Sequence, residues 1–225
     1  MLGVTLFLTT LTVYSQEPQG GSSEKLNETN SEDSVRTPFR KDRRLTGLSG
    51  SISSGTNEIN NQKTFSNRYS LNFVNGQFSN NGWLFGARIN ATRENSEGFS
   101  TQESESLFAG PMVAYYFAKN SSQGSLFLQV SPGYVRFRSE TIAGQGAMAS
   151  RDVLKGQGVG GIIKLGYSYV IHDRVVFDLG VDVSDYGIWA ERKQEPSANI
   201  SKERISVSDI SFSFGFNILL EDYFF

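Results

Sequence analysis

The chain contains no cysteine. That removes disulfides, thiol nucleophiles and cysteine metal sites together, and it suits passage through an oxidising periplasm. There is one histidine, His172, so a Ser-His-Asp triad or a histidine metal centre has only that residue to use. Proline is scarce, at 5 of 225 residues. Neither sign of charge dominates: 21 Lys and Arg stand against 23 Asp and Glu. No basic excess is available to meet a nucleic-acid backbone. After the first fourteen residues, no apolar run is long enough for a transmembrane helix.

What the chain has is glycine (23), phenylalanine (17) and tyrosine (9), a composition that leans towards β structure. Its mean hydropathy of −0.32 does not exclude a membrane barrel, where only alternate strand residues face lipid. Residues 1–14, "MLGVTLFLTTLTVY", are apolar and uncharged, too short to span and suited to a signal h-region. Val13 and Ser15 then stand at −3 and −1 of a cleavage before Gln16, so a signal peptide is expected over 1–15. Residues 16–44 are polar and nearly free of large apolar groups, which predicts a disordered arm in the periplasm. From 45 to 225 a barrel is expected.

That expectation rests on period-two alternation. Val175, Phe177, Leu179, Val181 and Val183 alternate with Asp178, Gly180, Asp182 and Ser184. Ile210, Phe212, Phe214, Phe216 and Ile218 alternate with Ser211, Ser213, Gly215 and Asn217. Similar rows start near 45, 65, 83, 107, 126 and 163, making about eight strands of roughly ten residues, the length of a tilted bilayer span. Links near 75–81, 119–124 and 172–173 read as short; those near 54–64, 93–106, 138–154 and 187–204 read as long and polar. Short periplasmic turns alternating with long outer loops describe an up-and-down outer-membrane barrel. Pro111 and Pro132 fall inside strands beside Gly110 and Gly133, which predicts a β-bulge at each pair.

The apolar rows carry no charge in their central positions, while the opposite rows are rich in Gly, Ser and Asn. That favours lipid outside over a soluble lipocalin-like barrel with an apolar interior. Two aromatic belts are expected: Phe73, Trp83, Tyr115, Phe117 and Tyr169 at the short-turn end, and Tyr134, Tyr186 and Trp189 nearer the long loops. The chain ends in Tyr223, Phe224 and Phe225, which resemble an outer-membrane insertion signal.

Over about 46–225 the chain resembles the small outer-membrane β-barrel proteins of the porin-like, OmpX- and OmpA-type group common in the Bacteroidetes. The resemblance is carried by "FSNRYSLNFVNGQFSNNGWLFGARINA", "FAGPMVAYYFAKN" with "GSLFLQVSPGY", "YSYVIHDRVVFDLGVDVS" and "ISFSFGFNILL". It implies an eight-stranded barrel, mostly without assigned activity.

The fold class expected is therefore all-β: an eight-stranded antiparallel up-and-down transmembrane barrel in the bacterial outer membrane. No catalytic, cofactor or metal site is expected. His172 reads as a turn residue with Asp173. Gly156, Gly158 and Gly161 match G-x-G-x-x-G, but a strand follows where a nucleotide site needs a helix. Arg68, Arg88, Lys164, Asp178 and Asp182 are expected to form a polar network filling the lumen. The function expected is structural or surface-interacting, with loops 93–106 and 138–154 as contact surfaces; a narrow pore and a soluble binder are the alternatives. Expected partners are outer-membrane lipid and the barrel-insertion machinery, with no nucleic acid, and the barrel is expected to be a monomer.

Overall fold

The computed structural model describes residues 37–59, 62–98, 100–118, 123–144, 150–195 and 199–221. The expected signal peptide, most of the arm and the terminal Tyr223, Phe224 and Phe225 lie outside them. The described strands are β1 (Arg44–Ile59), β2 (Gln62–Asn80), β3 (Trp83–Glu97), β4 (Ser100–Tyr116), β5 (Gly124–Ala143), β6 (Ser150–Ile171), β7 (Val175–Glu195) and β8 (Asn199–Leu220). Each pairs antiparallel with its sequence neighbour, and β1 pairs with β8 to close the ring.

The alternation read from the sequence is the alternation of the walls. Val176, Asp178, Gly180 and Asp182 face the lumen, while Val175, Leu179, Val181 and Val183 face out. Outward apolar residues form one continuous belt; Trp83–Ala91 on β3 and Val175–Val183 on β7 mark its height. Nine residues at the tilt of such strands rise about 20–25 Å, the thickness of a bilayer's apolar layer. This exterior, together with charged side chains inside, is the reverse of a soluble barrel.

Three expectations are corrected. The long loops are largely strands: β5 runs on to Ala143, β7 to Glu195, and β8 begins at Asn199. The barrel wall therefore continues roughly 25 Å above the belt, as polar side chains face water on the outside while the ladder still satisfies the backbone. The prolines make no bulge. Ala109 pairs with Tyr134 and Val113 with Val130, so the β4–β5 register is unshifted and only the pairs between them are missing. Pro111 and Pro132 fall opposite each other there, and a pair without either N–H loses both reciprocal bonds. Gly110 and Gly133 let the backbones press together; a Cβ on Gly110 would lie 2.0 Å from the Pro132 carbonyl oxygen.

The third correction concerns residues 37–43, placed in the disordered arm by composition. They fold into the short-turn end of the barrel. Phe39 is 0% exposed and stacks on Tyr116 with ring centroids 4.5 Å apart. Its carbonyl accepts from Gly82 N at 2.9 Å. Arg43 donates to Pro38 O at 2.9 Å and to Asp173 Oδ1 at 3.0 Å. One phenylalanine in a polar stretch is enough, because the barrel supplies the apolar surface that the segment lacks.

Candidate functional site

The lumen is layered. At the short-turn end Leu45, Phe78, Leu84, Met112, Tyr116, Phe127, Val170, Val176 and Leu219 close around Phe39. Every strand contributes to this apolar layer, so it seals the cross-section. Sequence reasoning missed it by expecting a polar lumen; the signal was present in the inward parity of Leu84, Met112 and Val176.

Above the seal lies a buried polar layer. Arg88 is 1% exposed. It donates to Asn72 Oδ1 at 3.0 and 2.7 Å and to Asp182 Oδ1 at 2.8 Å. Asn90 donates to the same Asn72 oxygen at 2.6 Å. Asp178 does not pair with Arg88; it accepts from Ser168 and from Asn217 Nδ2, each at 2.5 Å. Lys164 stands opposite Asp182 in the β6–β7 ladder, its Nζ 5.8 Å from the Phe127 ring centroid. Two cations and two carboxylates are buried here together, so the layer is neutral. That balance is what a low-dielectric interior requires of ionised groups.

Arg68 belongs to a separate cluster higher up. It binds Glu94 Oε2 at 2.6 Å and also pairs with Asp209. The second contact crosses a gap in the wall. The β1–β8 ladder stops at Gly50–Phe214, although β1 continues to Ile59 and β8 starts at Asn199. Ile210, at 73% exposed, and Ile52, at 68%, flank this seam. Arg68 on β2 thus reaches past β1 to Asp209 on β8 inside the lumen, clasping the two sides of the seam where β1 and β8 are no longer paired. A cavity of about 60 Å³ lies between the clasp and the Arg88 layer. It has room for a few waters, and Arg88 Nη1 and Asp182 Oδ2 reach no protein partner.

The remaining expected residues fall as follows. Trp83, Tyr115 and Phe117 cluster at the short-turn rim, with Trp83–Tyr115 centroids 4.9 Å apart and Tyr115–Phe117 4.8 Å. Tyr169 stands near that rim, its hydroxyl donating to Gln123 Oε1 at 3.1 Å. Phe73 is level with Ile89, within the belt rather than at its edge. Tyr134 and Trp189 face outward near the upper margin. Tyr186 is not an interface residue: it is 7% exposed and packs inward on Phe108, Val135, Ile162 and Ile188. The parity that put Asp178 and Asp182 inside already required this.

His172, Asp173 and Arg174 connect β6 to β7, with φ of 50° and 58° at the first two. Arg174 N donates back to Ile171 O at 3.3 Å, closing a four-residue β-turn whose two central residues take positive φ. Gly156, Gly158 and Gly161 lie within β6. A Cβ at Gly156 would meet Ile188 Cγ2 at 2.7 Å, so this glycine makes room for an inward side chain. Among the described residues, no group of three or more His, Cys, Asp or Glu could hold a metal ion.

No family model matches the chain, and no curated protein matches it in sequence. Solved structures do. The outer-membrane protein OprG of Pseudomonas aeruginosa is 12% identical, with a TM-score of 0.50 over 84% of this chain and 100% of that one. A major outer-membrane protein of Thermus thermophilus is 10% identical, again with a TM-score of 0.50, over 79% of this chain and 99% of that one. The fold is that of the small outer-membrane β-barrels. In such a barrel the apolar belt is the lipid-facing wall, and the short turns and the Phe39 seal lie at one mouth.

Proposed function

We propose that the chain spans the bacterial outer membrane as a closed, non-catalytic barrel with a structural or surface-contact role. The observation that carries this reading is the apolar layer to which all eight strands and Phe39 contribute. Water and ions crossing it would have to leave every hydrogen bond behind. The neutral layer above it supports the same conclusion, since Arg88 and Asp182 are bonded to each other and Asp178 to Ser168 and Asn217. The barrel extension, which carries 93–106 and 138–154, is the surface offered to partners.

The test is conductance. Protein refolded in detergent is checked for a heat-dependent mobility shift on SDS gels, then inserted into planar bilayers. Insertion without discrete current steps is the expected result. Stable single-channel currents from a heat-modifiable sample would replace this reading with a narrow pore.

A further inference from the structure

The outer wall of β5 and β6 changes character within one residue pair. Tyr134 and Val159 face out at the top of the belt, and the Tyr134 hydroxyl donates to Gln157 Oε1 at 2.6 Å. The next outward residues on β5 are Arg136 and Arg138, and Lys155 faces out on β6. The register sets Arg138 directly opposite Lys155, and Arg136 opposite Gln157. Like charges directly opposite across an antiparallel pair repel.

Nearby carboxylates relieve this only in part: Glu191 lies opposite Lys155 on β7, but its ion pair is with Lys202, at 3.6 Å. Glu105 lies opposite Arg138 on β4, but its ion pair is with Arg93, at 4.0 Å. Glu140 meets Arg138 at 3.2 Å and is shared with Arg151 at 2.8 Å. Among the described residues Arg136 and Lys155 have no ion-pair partner. Several other cations of the upper barrel are matched: Arg93 by Glu103, Arg192 by Asp152 and Glu203, Lys193 by Glu195, and Lys202 by Glu191, while Arg204 on β8 lies over the Trp189 ring. Arg136, Arg138 and Lys155 are thus the under-matched cations that cluster, on the outer face of β5–β6.

We propose that Arg136, Arg138 and Lys155 bind the phosphates of an outer-leaflet glycolipid, whose acyl chains lie on the belt beneath. The site rests on the membrane-barrel reading above. Guanidinium forks match phosphate oxygens in a bidentate manner, and the lysine adds a point charge. A bound phosphate also screens the Arg138–Lys155 repulsion. Position selects an amphiphile over a free anion: Leu107 stands opposite Arg136 on β4, and Tyr134 and Val159 continue the same surface downward, each about half exposed. Acyl chains on that surface and phosphates on the cations are held by one molecule.

The test titrates folded protein in nanodiscs with bis-phosphorylated lipid A, its dephosphorylated form and inorganic phosphate, with retained ligand read by native mass spectrometry. Wild type should retain the phosphorylated lipid and discriminate against the other two. Removing a surface cation should weaken binding about fivefold, so Arg136→Gln/Lys155→Gln together should weaken it roughly 25-fold. Lys193→Gln, on β7 and matched by Glu195, should bind as wild type. A double variant that binds like wild type, or equal retention of lipid without phosphate, overturns the site. Inorganic phosphate competing at the same concentration as the lipid does so too. Each sample is also checked for its heat-dependent shift. Loss of that shift in wild type would overturn the barrel reading with the site, whereas a shifting barrel without phosphate discrimination overturns the site alone.

Discussion

Replacing Arg88 with alanine removes the one cation that, among the described residues, bonds Asp182, in a layer where neither residue meets bulk water. The guanidinium makes two bonds to Asn72 Oδ1 and one to Asp182 Oδ1. Its loss strands a carboxylate whose Oδ2 already lacks a protein partner. Leaving one charge of a buried pair uncompensated is worth about 3–5 kcal/mol. With a urea slope of about 2 kcal/mol/M, the unfolding midpoint should fall by roughly 2 M. The assay is urea unfolding of the refolded barrel in lipid vesicles, followed by tryptophan fluorescence and the gel shift. The partner test separates charge from volume: Arg88→Met with Asp182→Leu replaces both groups by apolar ones and should recover most of the loss. An Arg88→Ala midpoint equal to wild type would refute the reasoning. So would single substitutions that simply add in the double variant, since residues in direct contact should couple.

Three further outcomes follow from the same structure. Phe39→Ala empties a fully buried site in the mouth seal and should destabilise the barrel by about 3 kcal/mol; an unchanged urea midpoint would mean that residues 37–43 do not pack there in solution. Asp209→Asn weakens the clasp across the β1–β8 seam by about 1 kcal/mol, the pair being partly exposed. Backbone hydrogen exchange should then speed up at 51–54 and 206–213, and a uniform change around the barrel would contradict the clasp. At the β5–β6 tip the Arg151 hydrogen bond holds the Glu140 carboxyl below its ordinary value of 4.5. A depressed carboxylate stabilises the fold above its unfolded-state value, and that contribution is lost as pH falls through the lower folded-state value. Protection against exchange at the tip, taken relative to the intrinsic rate at each pH, should therefore fall as pH drops below about 4.5, and Glu140→Gln should abolish that response. A tip insensitive to pH in the wild type would dismiss the contact.

Much of this barrel was legible because its code is local. Outward and inward rows follow from a period of two, so Val175–Val183 and Ile210–Ile218 could be assigned to lipid without knowing which strands pair. Tyr186 shows the rule outperforming its application: its parity placed it in the lumen, and only its aromatic ring suggested a membrane margin. The polar stretches at 93–106 and 138–154 misled because a strand with water on both faces carries no alternation to read. Phe39 misled because composition averages over a window, and one side chain inserted into a preformed mouth is invisible to an average.

Residue order alone was enough for the fold class, the strand faces, the inside-out distribution of charge and the absence of cysteine chemistry. Who meets whom across the lumen emerged with the folded ring. Arg88 finds Asp182 rather than Asp178, and Arg68 reaches Asp209, 141 residues away. Pro111 lands opposite Pro132, and the β1–β8 ladder ends at Gly50–Phe214. Those partnerships depend on register and on the stagger with which eight strands close, which are properties of the ring rather than of any strand in it.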